Sequence, residues 1–293
     1  MVGGFAPIFS CRAVLSAYRS ALMMTLASTG RSRAAVPENA DISSNRTTPP
    51  GASTSATVVS LSKDYEHALD LAKRALKAEK LIALPTDTIY GIAGLAQSSS
   101  ALQKIYEVKE RDIGKPVAIC VGKAADVHKW AYVDVPSGLL ESLLPGPVTL
   151  VFRRRPELNP ELNRGTSLIG VRVPNHAYMQ KLAASCGEPL ALTSANKSGG
   201  QSTLFVEEFK ELWPHLELVV DGGRSSGLSE DVARLGSTVV DLSQPATFSI
   251  IRDGSALLPT VSVLKKFGLT NKQELEVTVA NGAVNCTVQR DQR

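Results

Sequence analysis

The chain is 293 residues long, 43% hydrophobic and 20% charged, the composition of a globular protein with room for one large domain or two small ones. Its net charge of +4 equals the four arginines of residues 1–35; the remainder holds 28 basic and 28 acidic residues, so bulk charge gives no support for nucleic-acid binding. No stretch approaches the roughly 18 uninterrupted apolar residues of a membrane span, and the four cysteines and four histidines lack the spacing of a disulfide framework or a zinc site.

In chain order, residues 1–35 are rich in Arg, Ser and Ala and free of acid, with Arg12 and Arg19 on one face of a prospective helix. That pattern predicts a mitochondrial presequence; a tail of chance composition is the plain alternative. Residues 36–62, rich in Ser, Thr, Pro and Asn, read as a linker, so presequence and linker are expected to fill 1–62. From Tyr65, Ala68, Leu69, Ala72, Ala75 and Leu76 recur at helical spacing. A short strand, Leu81 to Leu84, is stopped by Pro85, and Ser98 to Ser100 cap a helix carrying Leu102, Ile105 and Tyr106. Strands are predicted at 117–121, 148–153, 169–173, 189–193, 217–220, 237–242 and 248–251, and helices at 136–144, 176–186 and 206–213. Alternation without an internal repeat predicts one α/β domain over 63–267, with 268–293 as a flexible tail.

Three segments carry the chemistry. Lys109-Glu-Arg111 and Lys115-Pro116 put three cations within seven residues, just past an amphipathic helix. The apolar strand Leu190 to Leu192 ends in Ser194-Ala-Asn196, where hydroxyl and amide groups two apart face the same side of an extended segment. Pro85-Thr-Asp-Thr-Ile-Tyr-Gly91 follows a buried strand, at the position where α/β sheets place ligand-contacting loops. A strand end with small polar groups beside fixed cations suits a polyphosphate and a small polar co-substrate. The structural alternatives are a solvated charge run, in which Lys109 adds little to stability, and a capped turn with Thr86 or Asp87 as N-cap. Arg172, at the end of an apolar strand flanked by Gly170 and Pro174, could grip a carboxylate bidentately. Gly222 to Ser229 approaches a phosphate-binding loop, but Leu228 occupies the lysine position, so it reads as a mobile glycine-rich loop.

Pro-Thr-Asp-Thr-x-Tyr-Gly, Lys-x-Arg-x-x-x-Lys-Pro, Pro-Gly-Pro-x-Thr, Gly-x-Arg-x-Pro, Thr-Ser-Ala-Asn and Gly-Ser-Thr-Val-Val-Asp occur here in the order seen in the YrdC family, over about residues 65–260. The resemblance implies a twisted mixed sheet with flanking helices and a concave, positively lined cavity. It implies condensation of L-threonine, bicarbonate or CO₂ and ATP to L-threonylcarbamoyl-AMP and pyrophosphate. The product would serve threonylcarbamoylation of the adenosine next to the anticodon in tRNA, finished by a separate transferase, a cytosolic complex or its mitochondrial counterpart. Carried over by motif, Lys109, Arg111, Ser194 and Asn196 are the expected catalytic residues. Arg111, Lys115, Asn196, Ser202 and Arg252 are expected at ATP, and Thr88, Arg172, Ser194 and Ser237 at threonine. Mg²⁺ is expected to arrive with ATP rather than on dedicated metal ligands, direct tRNA contact to be weak or indirect, and the protein to work in both cytoplasm and mitochondria. Cys120 departs from the pattern, since many members carry His there. A non-catalytic RNA-binding module using the same concave surface is the alternative from another class. The related carbamoyltransferase of hydrogenase maturation would need Cys-x-x-Cys pairs, which this sequence lacks.

Overall fold

A computed structural model describes residues 56–110 and 115–274; the expected presequence, Arg111 and most of the expected tail lie outside these residues. The longer helices are α1 (Tyr65–Lys77), α2 (Ser99–Val108), α3 (Leu139–Leu143), α4 (Ala177–Cys186) and α5 (Leu257–Lys266). The first two begin as their sequences dictate. Asp64 accepts the His67 N–H at 3.0 Å, and Ser98 accepts that of Ala101 at 3.1 Å. Their apolar stripes, Ala68/Leu69/Ala72/Leu76 and Ala101/Leu102/Ile105, are buried.

The strands are β1 (Thr57–Ser60), β2 (Ile82–Leu84), β3 (Gly91–Leu95), β4 (Ala118–Cys120), β5 (Ala131–Tyr132), β6 (Val148–Arg154), β7 (Leu168–Arg172), β8 (Leu190–Ser194), β9 (Leu218–Asp221), β10 (Thr238–Asp241), β11 (Thr247–Arg252) and β12 (Thr270–Asn271). They form one mixed sheet in the order β1-β9-β2-β3-β8-β4-β7-β6-β10-β11-β12, with β5 paired to β6. The register sorts side chains by face. Ile92, Ile119, Leu150, Phe152, Val171, Ala191 and Val240 lie in one core with residues of α2, α3 and α5. On the opposite face Ala93, Leu95, Cys120, Leu190 and Leu192 lie under α1 and α4. Farther along that second face Ala118, Thr149 and Gly170 line the cavity described below.

Several expectations need correction. Residues 206–215 are two 3₁₀ turns joined at Phe209 (φ −130°, ψ 29°), not an α-helix, with Pro214 in the second. The helix expected at 136–144 is trimmed to Leu139–Leu143, because Gly138 (φ 82°) sits at its start. β1 falls within the stretch read as linker; Ala56 is buried and Thr57–Ser60 pair in parallel with Leu218–Asp221. β12 falls within the expected tail, paired to Thr247 and Phe248. β3 was not expected as a strand because its glycines hide the pattern. They are required by close packing: a Cβ on Gly91 would lie 2.7 Å from Leu192 Cδ1, and one on Gly94 2.9 Å from Leu81 Cδ2. α5 is a further helix beyond the predicted set, since Pro259 masks its periodicity.

Candidate active site

The open part of the second sheet face forms a cavity of about 340 Å³, within the range of small-molecule sites. Its floor follows from the register: Ala118 pairs with Leu192, and Gly170 with Val151. Mid-sheet residues are normally covered, yet Ala118 and Gly170 are only partly buried. A Cβ at Gly170 would meet Thr149 Cγ2 at 3.0 Å and Ala118 Cβ at 3.5 Å, so glycine keeps the floor deep.

Arg172 lines the cavity, 7% exposed. Its Nη2 donates to Asp87 Oδ1 at 2.5 Å, to Thr88 Oγ1 at 2.6 Å and to Thr86 Oγ1 at 3.3 Å. Its Nε is buried with no hydrogen-bond partner, and an orphaned donor of this kind costs about 1–3 kcal/mol unless a ligand or water accepts from it. Thr86 also accepts the Thr88 N–H at 3.1 Å and donates to Ile89 O at 2.8 Å, so the 86–89 segment is a hydroxyl-braced turn and no helix follows it. Asp87 is therefore not an N-cap. Beside Arg172, Ser237 Oγ lies 2.9 Å from Thr149 Oγ1, and Arg252 Nη2 donates to Ser237 O at 2.7 Å and Oγ at 3.1 Å.

Ser194 also lines the cavity. Behind it stands Lys109, which is no solvated loop cation. It is 1% exposed, its Nζ donating to Ser194 O at 2.6 Å and to Asn196 O, with Ser194 Oγ at 3.4 Å and Asn196 Oδ1 at 3.5 Å. Lys109 and the Ser194–Asn196 pair are thus brought together. The Asn196 amide is spent on its own turn, donating to Lys197 O at 2.7 Å and Gly200 O at 2.8 Å.

The remaining expected residues are distributed unevenly. Thr88 holds Arg172 rather than lining the cavity; Ser237 and Arg252 line it. Lys115 is exposed, although its neighbour Pro116 lines the rim. The Ser202 carbonyl accepts from Arg234, which pairs with Glu208 at 2.8 Å and Glu230 at 2.6 Å, and Ser202 is not part of the lining. Cys120 is fully buried under α4, its thiol pushed up to about 12 chiefly by burial, and it does not line the cavity. The glycine-rich loop, expected to be mobile, is fastened to the same turn. Tyr90 Oη donates to Gly223 O at 2.7 Å and accepts the Gly222 N–H at 3.0 Å, while Ser225 Oγ donates to Thr88 O at 3.0 Å. Burial pushes the Tyr90 phenol pKa far up. Two cavity residues outside the expected site set are Thr86 and Thr149, both within the quoted motifs. Thr86 belongs to a segment with a capped turn as its plain alternative, and only strand register aligns Thr149 with Val239 on the cavity face.

Residues 74–254 match the Sua5/YciO/YrdC family model, described as telomere recombination. The chain belongs to this family. Over 205 residues it is 53% identical to a Bos taurus protein named threonylcarbamoyl-AMP synthase, covering 70% of this chain and 74% of that protein. A Homo sapiens protein of the same name is 52% identical over 206 residues, with 70% and 74% covered. In structure the chain is similar to P. abyssi Sua5 complexed with L-threonine (TM-score 0.61, 26% identity), with 74% of this chain and 62% of that one covered. The match thus spans about three fifths of the P. abyssi Sua5. E. coli YciO, at TM-score 0.59 and 21% identity, shares the fold, with 68% of this chain and 94% of YciO covered.

Proposed function

We infer that this chain is a threonylcarbamoyl-AMP synthase, converting L-threonine, bicarbonate or CO₂ and ATP to L-threonylcarbamoyl-AMP and pyrophosphate for tRNA threonylcarbamoylation. The observation that carries the reading is the cavity lining, which combines a buried guanidinium with an orphaned Nε and Ser194 backed by buried Lys109. It occurs in a family whose 52–53% identical relatives bear the enzyme's name. The non-catalytic RNA-binding reading has no comparable support.

The threonine amine forms a C–N bond to CO₂ and loses a proton, giving a carbamate. A carbamate oxygen then attacks the α-phosphorus, and the bond to the β-phosphate oxygen breaks as pyrophosphate leaves. Neither step needs a protein nucleophile; both need positioned reactants and cations where phosphate charge builds. In this reading Arg172 takes the threonine carboxylate, Ser237 the side-chain end, and Thr88 acts through Arg172. Lys109 rigidifies the Ser194–Asn196 turn and, with Arg111, supplies positive charge near the α-phosphate. Arg252 and Lys115 meet ATP at the rim, while Asn196 and Ser202 act by shaping their loops. Mg²⁺ enters as the ATP complex. In this reading phosphate oxygens and water hold it, as suits an ion that keeps much of its hydration shell.

The deciding experiment is mass spectrometry of products from the purified full chain with Mg-ATP, L-threonine and bicarbonate, without RNA. Threonylcarbamoyl-AMP and pyrophosphate are the expected products; ATP consumption independent of threonine would overturn the reading. The site of action in cytoplasm and mitochondria, and hand-over to a downstream transferase, belong to the same proposal. Its targeting half rests on the acid-free arginines of residues 1–35. A reporter fused to residues 1–60 should reach mitochondria and lose that location when Arg12 and Arg19 become Glu.

A further inference from the structure

Arg172 ends β7 on the cavity side, and every hydrogen bond it makes to the 86–88 turn runs through one nitrogen, Nη2. The charged partner among the three acceptors is Asp87, and the side chains of this pair are each 8% exposed. The second Asp87 oxygen, Oδ2, accepts the Asn175 N–H at 2.8 Å. One carboxylate therefore ties the turn both to the last residue of β7 and to the segment that leads into α4.

We propose that Asp87 is a positioning residue for amino-acid recognition: it clamps one edge of the Arg172 guanidinium so that the remainder meets the substrate α-carboxylate. The inference rests on the threonine reading above and names how the Arg172 part of the site is built. Two observations support more than a plain structural tie. Arg172 belongs to the cavity wall, and its buried Nε is left without a partner although the oxygens of Thr86, Asp87 and Thr88 all gather on Nη2. A tie serving only to pin the turn would be expected to satisfy the whole guanidinium. An arginine held by one edge is also already oriented before substrate arrives, so less side-chain freedom is lost on binding. Thr86 and Thr88 complete the clamp as neutral acceptors, with Asp87 fixing the direction of the charge.

The test compares L-threonine with L-threoninamide, which lacks the carboxylate, in steady-state kinetics of the full chain carrying Asp87→Asn or Asp87→Ala. Asp87→Asn keeps the shape of the side chain and guards against loss of fold in Asp87→Ala. Losing a charge-assisted hydrogen bond to the guanidinium should raise KM for threonine by about 10- to 100-fold. KM for ATP and for threoninamide should stay within about threefold of wild type, so the preference for the carboxylate collapses. A folded variant that keeps the threonine-to-threoninamide ratio would overturn the clamp, as would one in which KM for ATP and both amino acids rises together. Wild-type protein that makes no threonine-dependent product would instead overturn the synthase reading itself, so the two failures are distinguishable.

Discussion

The second face of the sheet has two halves built from the same strands. Under α1 and α4, Ala93, Leu95, Cys120 and Leu190 are closed off from solvent almost completely, 0–7% exposed. One pleat or one strand away, Gly91, Ala118, Gly170, Thr149 and Ser194 face the cavity. The first half uses side-chain volume to fill space beneath helices, and the second uses small and hydroxylated residues to leave space. The difference shows that the site is made as much by what the strands omit as by the charges around it.

The largest expected effect comes from removing the cation behind the open half. Lys109→Ala should lower product formation by roughly 10²–10⁴. It should also destabilise the fold by about 1–3 kcal/mol, because the carbonyls of Ser194 and Asn196 lose a buried donor. Turnover and thermal melts on one preparation read both. Wild-type turnover in a folded Lys109→Ala protein would remove this residue from the site.

Adding bulk to each half sharpens the contrast. Gly170→Val fills the cavity floor against Thr149 Cγ2 and should cost about 100-fold in activity through misplaced substrate, with a modest change in melting temperature. Ala93→Val overpacks the covered half and should cost about 1–3 kcal/mol of stability, with specific activity per folded molecule preserved. If the two variants exchanged phenotypes, the division of the face into core and site would be wrong.

How much of this was legible in the sequence depends on where the information sits. Apolar periodicity marks α1 and most strands, and the Ser98 cap marks α2, because these signals are local to each segment. Motif order gave Arg172, Ser194 and Ser237, all three on the cavity wall. What local pattern could not give is contact across distant segments. Lys109 reads as exposed among Glu107, Glu110 and Arg111, and is buried only because its side chain runs to carbonyls some 85 residues away. Asp87 reads as a cap until β7 delivers Arg172 beside it. β3 was lost because its glycines answer Leu192 and Leu81, neighbours that only the sheet supplies.

A smaller effect tests whether the glycine-rich loop belongs to the cavity's framework. Tyr90→Phe removes the hydroxyl shared by Gly222 and Gly223 and should cost about 1–2 kcal/mol. Amides of 222–228 should then exchange with solvent faster than those of β9, which keeps its pairing with β1 and β2. Equal protection in both proteins would mean that the loop is held by its other contacts, such as Ser225 to Thr88.

The smallest expected effect lies near Asp87, in the response to acid. His176, just before α4, has its pKa lowered below the ordinary 6.5, first by burial, while the charge of Asp87 works in the opposite direction. Its Nδ1 is buried without a hydrogen-bond partner, so the neutral ring is the form the fold accommodates. The folded state therefore takes up a proton less readily than the unfolded chain. As pH falls below about 6.5, the unfolded state binds the extra proton and stability declines; above that pH His176 is neutral in both states and has no such effect. One such group gives a slope of at most about 1.4 kcal/mol per pH unit. Denaturant melts between pH 5 and 8 should show this acid-side slope in the wild type and a shallower one in His176→Gln. An unchanged slope in the variant would assign the acid sensitivity to other groups, and a steeper one would mean that protonated His176 is stabilised by Asp87 after all.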